Sequence, residues 1–277
     1  MHNKQQFNKA EVIRWSHFSR HGDAIFLTLR REVLVSVLSV ATLTAACPDS
    51  SAARMSMTPA AQTAADDEDS LQASALEDSS PIDISCLQNG DLLFSVASPS
   101  RDGVAAAITD VTEGYDLQRV SHVAIVCREA DDNIFVIEAS SARGVWLTPI
   151  DSFLAHSAHS PAGSPLVLAG RLKDKSSAAA AVAKAKTYLG RPYDFQYLPG
   201  DSAIYCSELV HYSYTDKDGQ PIFPQQPMSF HDMSGQVTPF WTAYYRRWDM
   251  DVPEGWPGTT PGAISRSEAI DIIGKFF

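Results

Sequence analysis

Basic residues and long apolar runs are both scarce in this chain. Its 277 residues carry 22 Lys and Arg against 33 Asp and Glu, a formal net charge of −11. That balance excludes general affinity for nucleic acid or for an anionic membrane surface, which both require a basic face. The apolar stretch from Val33 to Leu43 is too short to cross a bilayer comfortably. No G-x-S-x-G elbow, phosphate-binding loop or dinucleotide fingerprint occurs, so the usual serine-hydrolase, nucleotide and dinucleotide signatures are absent. Cysteine is limited to Cys47, Cys86, Cys127 and Cys206. No internal repeat is visible.

What is present divides into three parts. Arg30 and Arg31 precede the apolar stretch, and Thr44-Ala-Ala-Cys47 follows it. A basic flank, a short apolar run and small residues make a secretory signal over residues 1–46. The stretch of about thirty residues ahead of the run is long for such a signal, so a start near Leu27 or Leu29 is expected. Thr44-Ala-Ala-Cys47 resembles a bacterial lipoprotein cleavage box, with Thr44 where Leu is usual and Leu43 one place early. The expectation is a cell-envelope protein anchored to the membrane by lipid on Cys47. A plain signal peptide with Cys47 incidental is the alternative. Residues 48–81 contain no aromatic residue and hold the acidic run Asp66-Asp-Glu-Asp69. This composition predicts a disordered tether spanning roughly 30 Å. Residues 82–277 form the globular part, and the 44% hydrophobic content supplies a sizeable core.

Within the globular part, Gly90-Asp-Leu-Leu-Phe-Ser95 predicts a turn and a buried strand. Val104, Ile108 and Val111 fall at helical spacing before Gly114. Ser121–Cys127 and Ile134–Ala139 flank a polar turn and predict a hairpin; Gly144–Leu147 and Leu166–Leu172 predict further strands. Ser177–Leu189 is an Ala-rich helix, and a second helix runs from about Cys206 to Tyr214. Beyond Gly219 the frequent prolines and aromatics predict an irregular segment ending in a short helix near Ser267–Phe276. Phe230, Phe240, Trp241, Tyr244 and Tyr245 either cover the core or line a groove.

The chemistry rests on Cys206, in Tyr205-Cys-Ser-Glu-Leu-Val210. The thiolate is the nucleophilic form of cysteine, and a helix N-terminus with a nearby histidine favours it. Cys206, Leu209, Val210 and Ser213 share one stripe, so the thiol is expected to face inward. His122 shares a strand face with Ala124 and Val126. A hairpin centred near residue 130 places Glu138 roughly opposite His122 on that face, where it could orient the imidazole. A one-residue slip would turn Glu138 away. His156 and His159 have metal-like spacing but lie in an apparent loop, and no metal site is expected. His211 and His231 have no evident partner. Cys86 and Cys127 are either a disulfide pair or two buried free thiols.

Gly90-Asp-Leu-Leu-Phe94, Ser121-His-Val-Ala-Ile-Val126, Val136-Ile-Glu-Ala139, Leu189-Gly-Arg-Pro-Tyr-Asp194 and Tyr205-Cys-Ser-Glu-Leu-Val210 occur in this order. Together they resemble the YiiX-type branch of the NlpC-like papain-fold hydrolases, in which circular permutation puts the histidine strand before the cysteine helix. The resemblance covers about residues 83–215. It implies an α+β fold, a small antiparallel sheet packed against helices. It also implies Cys206 as nucleophile, His122 as general base, Glu138 as the third polar residue and Tyr193 near the oxyanion, with no cofactor. The substrate class that follows is a peptide or other amide, with cell-wall peptide favoured by the envelope address. Lipid acyl chemistry of the lecithin–retinol acyltransferase type and a non-catalytic envelope binding protein are the alternatives. An apolar tunnel ending at Cys206 would favour the first of these.

Overall fold

The computed structural model describes residues 81–98 and 103–277. The signal segment, Cys47 and the expected tether up to Ser80 lie outside them. Six strands form one antiparallel sheet in the order β4-β3-β2-β1-β5-β8. They are β1 (Leu92–Val96), β2 (Val120–Arg128), β3 (Ile134–Ser140), β4 (Gly144–Pro149), β5 (Val167–Leu172) and β8 (Ile270–Lys275). The helices are α1 (Val104–Val111), α2 (Ile150–His156), α3 (Ala178–Lys186), α4 (Cys206–Ser213), α5 (Pro239–Arg246) and α6 (Pro261–Ser265). A two-strand ladder, β6 (Gln226–Pro227) with β7 (Pro257–Gly258), lies outside the main sheet.

Both faces of the sheet are buried, which explains why its central strands read as almost unbroken apolar runs. On one face Phe94, Val123, Ile125, Ile137 and Leu168 pack with Val182 and Ala185 of α3 and Leu209 and Val210 of α4. On the other, Leu93, Ala124, Val126 and Val136 pack against Ile150 and Phe153 of α2 and against Phe276. A third cluster joins Ala107 of α1 to Trp241, Tyr244 and Tyr245 of α5, with Tyr197, Tyr205, Met228 and Phe230. The five C-terminal aromatics therefore mainly build a core.

Two expectations fail. The segment near Ser267–Phe276 is mostly strand β8, hydrogen-bonded to β5, because pairing satisfies an otherwise open sheet edge. The stretch beyond Gly219 is less irregular than expected. Thr238 caps Trp241 N–H ahead of Pro239, and Thr260 caps Ala263 N–H ahead of Pro261, so each starts a helix. Cys127 is a free, fully buried thiol, which rules out its pairing with Cys86. No helix among the described residues is long and apolar enough to cross a membrane.

Candidate active site

Register decides how β2 and β3 meet. Ile125 pairs with Ile137 and Val126 with Val136. Continued along the strands, that register sets Glu138 opposite Ala124 and diagonal to His122, two residues from the expected position but on the expected face. Diagonal neighbours lie within reach of long side chains. His122 Nε2 donates to Glu138 Oε2 at 2.8 Å, and Thr148 Oγ1 on β4 donates to Glu138 Oε1 at 2.7 Å. Both Glu138 oxygens are thus engaged. The His122 and Glu138 side chains are 24% and 14% exposed, a partly desolvated setting in which such contacts are strong.

Cys206 opens α4 and packs in the core on the sheet face bearing Val123 and Ile125. His122 by alternation belongs to the other face. A register irregularity between Ser95 and Val96 opposite residues 120–122 resolves this. Val120 and Val123, three apart, both join the core under α4, so alternation breaks between them and His122 sits in the irregular step. The imidazole comes within interaction range of the Cys206 sulfur there. Burial opposes charge on His122, but hydrogen bonding and electrostatic attraction from Cys206 and Glu138 outweigh it and raise the imidazole pKa to about 10. Burial also opposes ionisation of Glu138, yet His122 and Thr148 hold its carboxyl below the usual carboxylate value. The two contacts therefore favour the protonated ring of His122, between sulfur and carboxylate.

The α4 N-terminus is prepared by its neighbours. Tyr205, the extended N-cap residue, supplies no side-chain acceptor to the first-turn N–H groups. Tyr205 Oη accepts from Thr259 N–H at 3.1 Å, and Ser207 Oγ donates to the Thr259 carbonyl at 2.9 Å. The turn is fixed in place while its backbone donors receive no side-chain cap. Tyr193 reaches the site on the loop before α4. Buried Asp194 holds that loop by accepting from Gln196 N–H and Leu198 N–H, both at 2.9 Å. Tyr244 Oη of α5 donates to the Phe195 carbonyl at 2.8 Å. Burial, with the Cys206 sulfur close by, raises the Tyr193 hydroxyl well above its usual pKa, so it remains a proton donor.

Two cavities meet at this centre. A cleft of about 580 Å³ is lined by His122, Glu138, Thr148, Ser140, Arg143 and His156. A smaller cavity of about 50 Å³ is lined by Cys206, Ile108, Val111, Met228, Phe230 and Trp241. Tyr193, Tyr197 and Ile108 border both.

The structure thus brings Cys206, His122, Glu138 and Tyr193 together. Thr148, Tyr197 and Ile108 escaped sequence reasoning. Thr148 has the strand parity of Glu138 one strand over and was within reach of a pattern argument. Tyr197 enters through a left-handed backbone conformation, φ 53°, which its sequence does not signal. Three other histidines among the described residues have structural contacts. His156 Nδ1–H donates to the Ser152 carbonyl at 2.6 Å, and His211 Nδ1–H to the Phe223 carbonyl at 2.7 Å. His231 pairs with Glu254 at 3.2 Å.

A family model described as a permuted papain-like amidase enzyme, YaeF/YiiX, C92 family, matches residues 86–273. The chain is 27% identical over 148 residues to the uncharacterized protein YiiX of Escherichia coli strain K12, covering 53% of this chain and 67% of that protein. The crystal structure of the metalloprotein YiiX from Escherichia coli O157:H7 aligns with a TM-score of 0.54 at 26% identity, covering 68% of this chain and 97% of that one. Among the described residues here, no group of three or more His, Cys, Asp and Glu could hold a metal ion.

Proposed function

We propose, for a chain that belongs to the C92 family of permuted papain-like amidases and is thereby a cysteine amide hydrolase, that Cys206, His122 and Glu138 carry the reaction. The observation that supports this most is the His122 ring, fixed by Glu138 on one side and interacting with the Cys206 sulfur on the other. With Nε2 committed to Glu138, Nδ1 is the nitrogen left to exchange a proton with sulfur. The Cys206 thiolate attacks the amide carbonyl and a C–S bond forms. The Cys206 backbone N–H and the Tyr193 hydroxyl donate to the oxyanion. The His122 imidazolium gives its proton to the departing nitrogen, the C–N bond breaks, and an amine leaves behind a thioester. Neutral His122 then takes a proton from water, whose oxygen attacks the thioester, and the thiolate departs as the acid forms. Glu138 keeps the ring oriented throughout and offsets its charge.

The export-like segment before Cys47 supports an envelope address and lipid anchoring on Cys47, and with them a cell-wall peptide or related amide as substrate. The open cleft beside His122 suits an amide of this kind. The test is alkylation of the full chain by iodoacetamide at neutral pH. Labelling is expected at Cys206, lost in Cys206→Ala and reduced roughly ten-fold or more in His122→Ala. Neutral-pH labelling that persists unchanged in Cys206→Ala would remove the nucleophile assignment, and indifference to His122→Ala would remove the dyad.

A further inference from the structure

The two cavities divide the proposed centre between them. The large cleft is lined by His122 but not by Cys206; the small cavity is lined by Cys206 but not by His122. Chemistry assigns each a side. The leaving nitrogen must lie within reach of the imidazole that protonates it, so the amine portion belongs in the cleft of about 580 Å³. The acyl portion stays bonded to sulfur and must extend away from the imidazole, into the cavity walled by Ile108, Val111, Met228, Phe230 and Trp241.

That second cavity is apolar and only about 50 Å³. An apolar cavity of roughly 150 Å³ takes a benzene ring. An apolar wall that does not yield admits a group of one to a few carbons and rejects a larger one by overpacking. Past Met228 a wider cleft of about 660 Å³ begins, with Val111, Met228, Thr259 and Thr260 bordering both spaces. Met228 is packed: a Cβ added at Gly258 would overlap its side chain. The buried Met228 side chain, with Gly258 against it, therefore stands between the small cavity and the wider cleft.

From this partition we propose that the small cavity is the acyl-side specificity pocket, and that the substrate donates a carbonyl bearing a small apolar group rather than a long acyl chain. The open, more polar cleft then holds the amine portion, with Arg143 and His156 on its walls. The inference rests on Cys206 and His122 acting as proposed above.

The test uses p-nitrophenyl esters of acetate, propionate, butyrate, hexanoate, octanoate and dodecanoate, each below its micellar concentration. The p-nitrophenolate burst from the full chain is divided by the rate with N-acetylcysteine to remove intrinsic reactivity. Cys206-dependent acylation is expected to be highest from acetate to butyrate and at least roughly ten-fold lower at octanoate. Ile108→Ala shifts the optimum to a longer ester, and Met228→Ala relieves the penalty on octanoate by opening the wall to the wider cleft. Rates that rise through dodecanoate, or show no dependence on length, overturn the pocket. So does a Cys206 that iodoacetamide alkylates but no ester acylates. If neither iodoacetamide nor any ester modifies Cys206, the nucleophile assignment itself fails, and the pocket falls with it.

Discussion

Three side chains on one sheet face, His122, Glu138 and Thr148, form a chain of hydrogen bonds that ends at sulfur. Its measurable consequence is the protonation of His122. Burial favours the neutral ring, and only the Cys206 and Glu138 contacts reverse that, carrying the pKa to about 10. Removing either contact leaves burial less opposed, so the pKa must fall. NMR titration of the His122 ring is expected to show a proton retained through neutrality and lost near pH 10 in the native chain. Glu138→Gln and Cys206→Ala each lower that midpoint. The alkaline limb of Cys206-dependent hydrolysis moves with it, because a neutral ring cannot protonate the leaving nitrogen. A Glu138→Gln midpoint equal to that of the native chain would show that the carboxylate does not act on the ring. The residue identities were legible in the sequence. Parity placed Glu138 on the correct face, but the hairpin centre inferred from the turn misplaced it by one pair step, since turn length was read without its bulge and loop geometry.

Among the elements, the loop joining α3 to α4 controls the site as much as either strand does. Its start is pinned to β4: Val145 N–H donates to the Arg191 carbonyl at 2.8 Å and Gly190 N–H to the Val145 carbonyl at 2.9 Å. Gly144 allows that approach. It has φ +71°, and an added Cβ would collide with the Arg191 carbonyl. Gly144→Ala is expected to destabilise the protein by roughly 1–3 kcal/mol, read by urea unfolding. It should also slow Cys206 alkylation as the Tyr193 loop shifts, whereas unfolding at the native urea midpoint would disprove the steric argument. Strands β1 to β5 and helices α1, α3 and α4 were legible because hairpin alternation and helix spacing are local patterns, but α2 was missed, and His156, expected in a loop, is its last residue. α5 and β8 were not legible either. α5 was hidden by its aromatic density, Phe240-Trp-Thr-Ala-Tyr-Tyr245, which suited a surface wrap as well as a core helix. Ile270–Lys275 is a strand because β5 offers an edge more than ninety residues upstream, and no local signal reports that.

For the molecule as a whole, the two faces of the sheet serve different ends. α3 and α4 deliver sulfur from one face, and α2 closes the other behind His122, with the Phe153 ring centroid 6.2 Å from that of the imidazole. At the opposite end of β1 and β5, Arg171 forms a paired contact with Asp91, Nε to Oδ1 at 2.8 Å and an Nη to Oδ2 at 2.6 Å, and also donates to the Cys86 carbonyl. Asp91 is almost fully buried, so Arg171→Ala leaves its carboxylate with the Gln88 N–H as a donor and no opposite charge among the described residues. A loss of about 3 kcal/mol or more is expected in urea unfolding, with little loss from the double variant Asp91→Asn, Arg171→Met relative to Arg171→Ala. A single-variant loss under about 1 kcal/mol would mean the pair adds nothing that solvent does not replace.

By itself the sequence determined the reactive residue types, their order along the chain and the local elements that carry them, because thiol and imidazole chemistry, strand alternation and helix spacing are properties of short segments. The permuted order of His122 before Cys206 was likewise visible without coordinates. Only the tertiary structure decided that the two meet across a break in strand alternation, and that the space beside the sulfur is small and apolar while the space beside the imidazole is open. Those outcomes depend on register, on a bulge and on side chains brought in from α1, α5 and the segment around Met228. Long-range packing sets them, and no stretch of sequence encodes it locally.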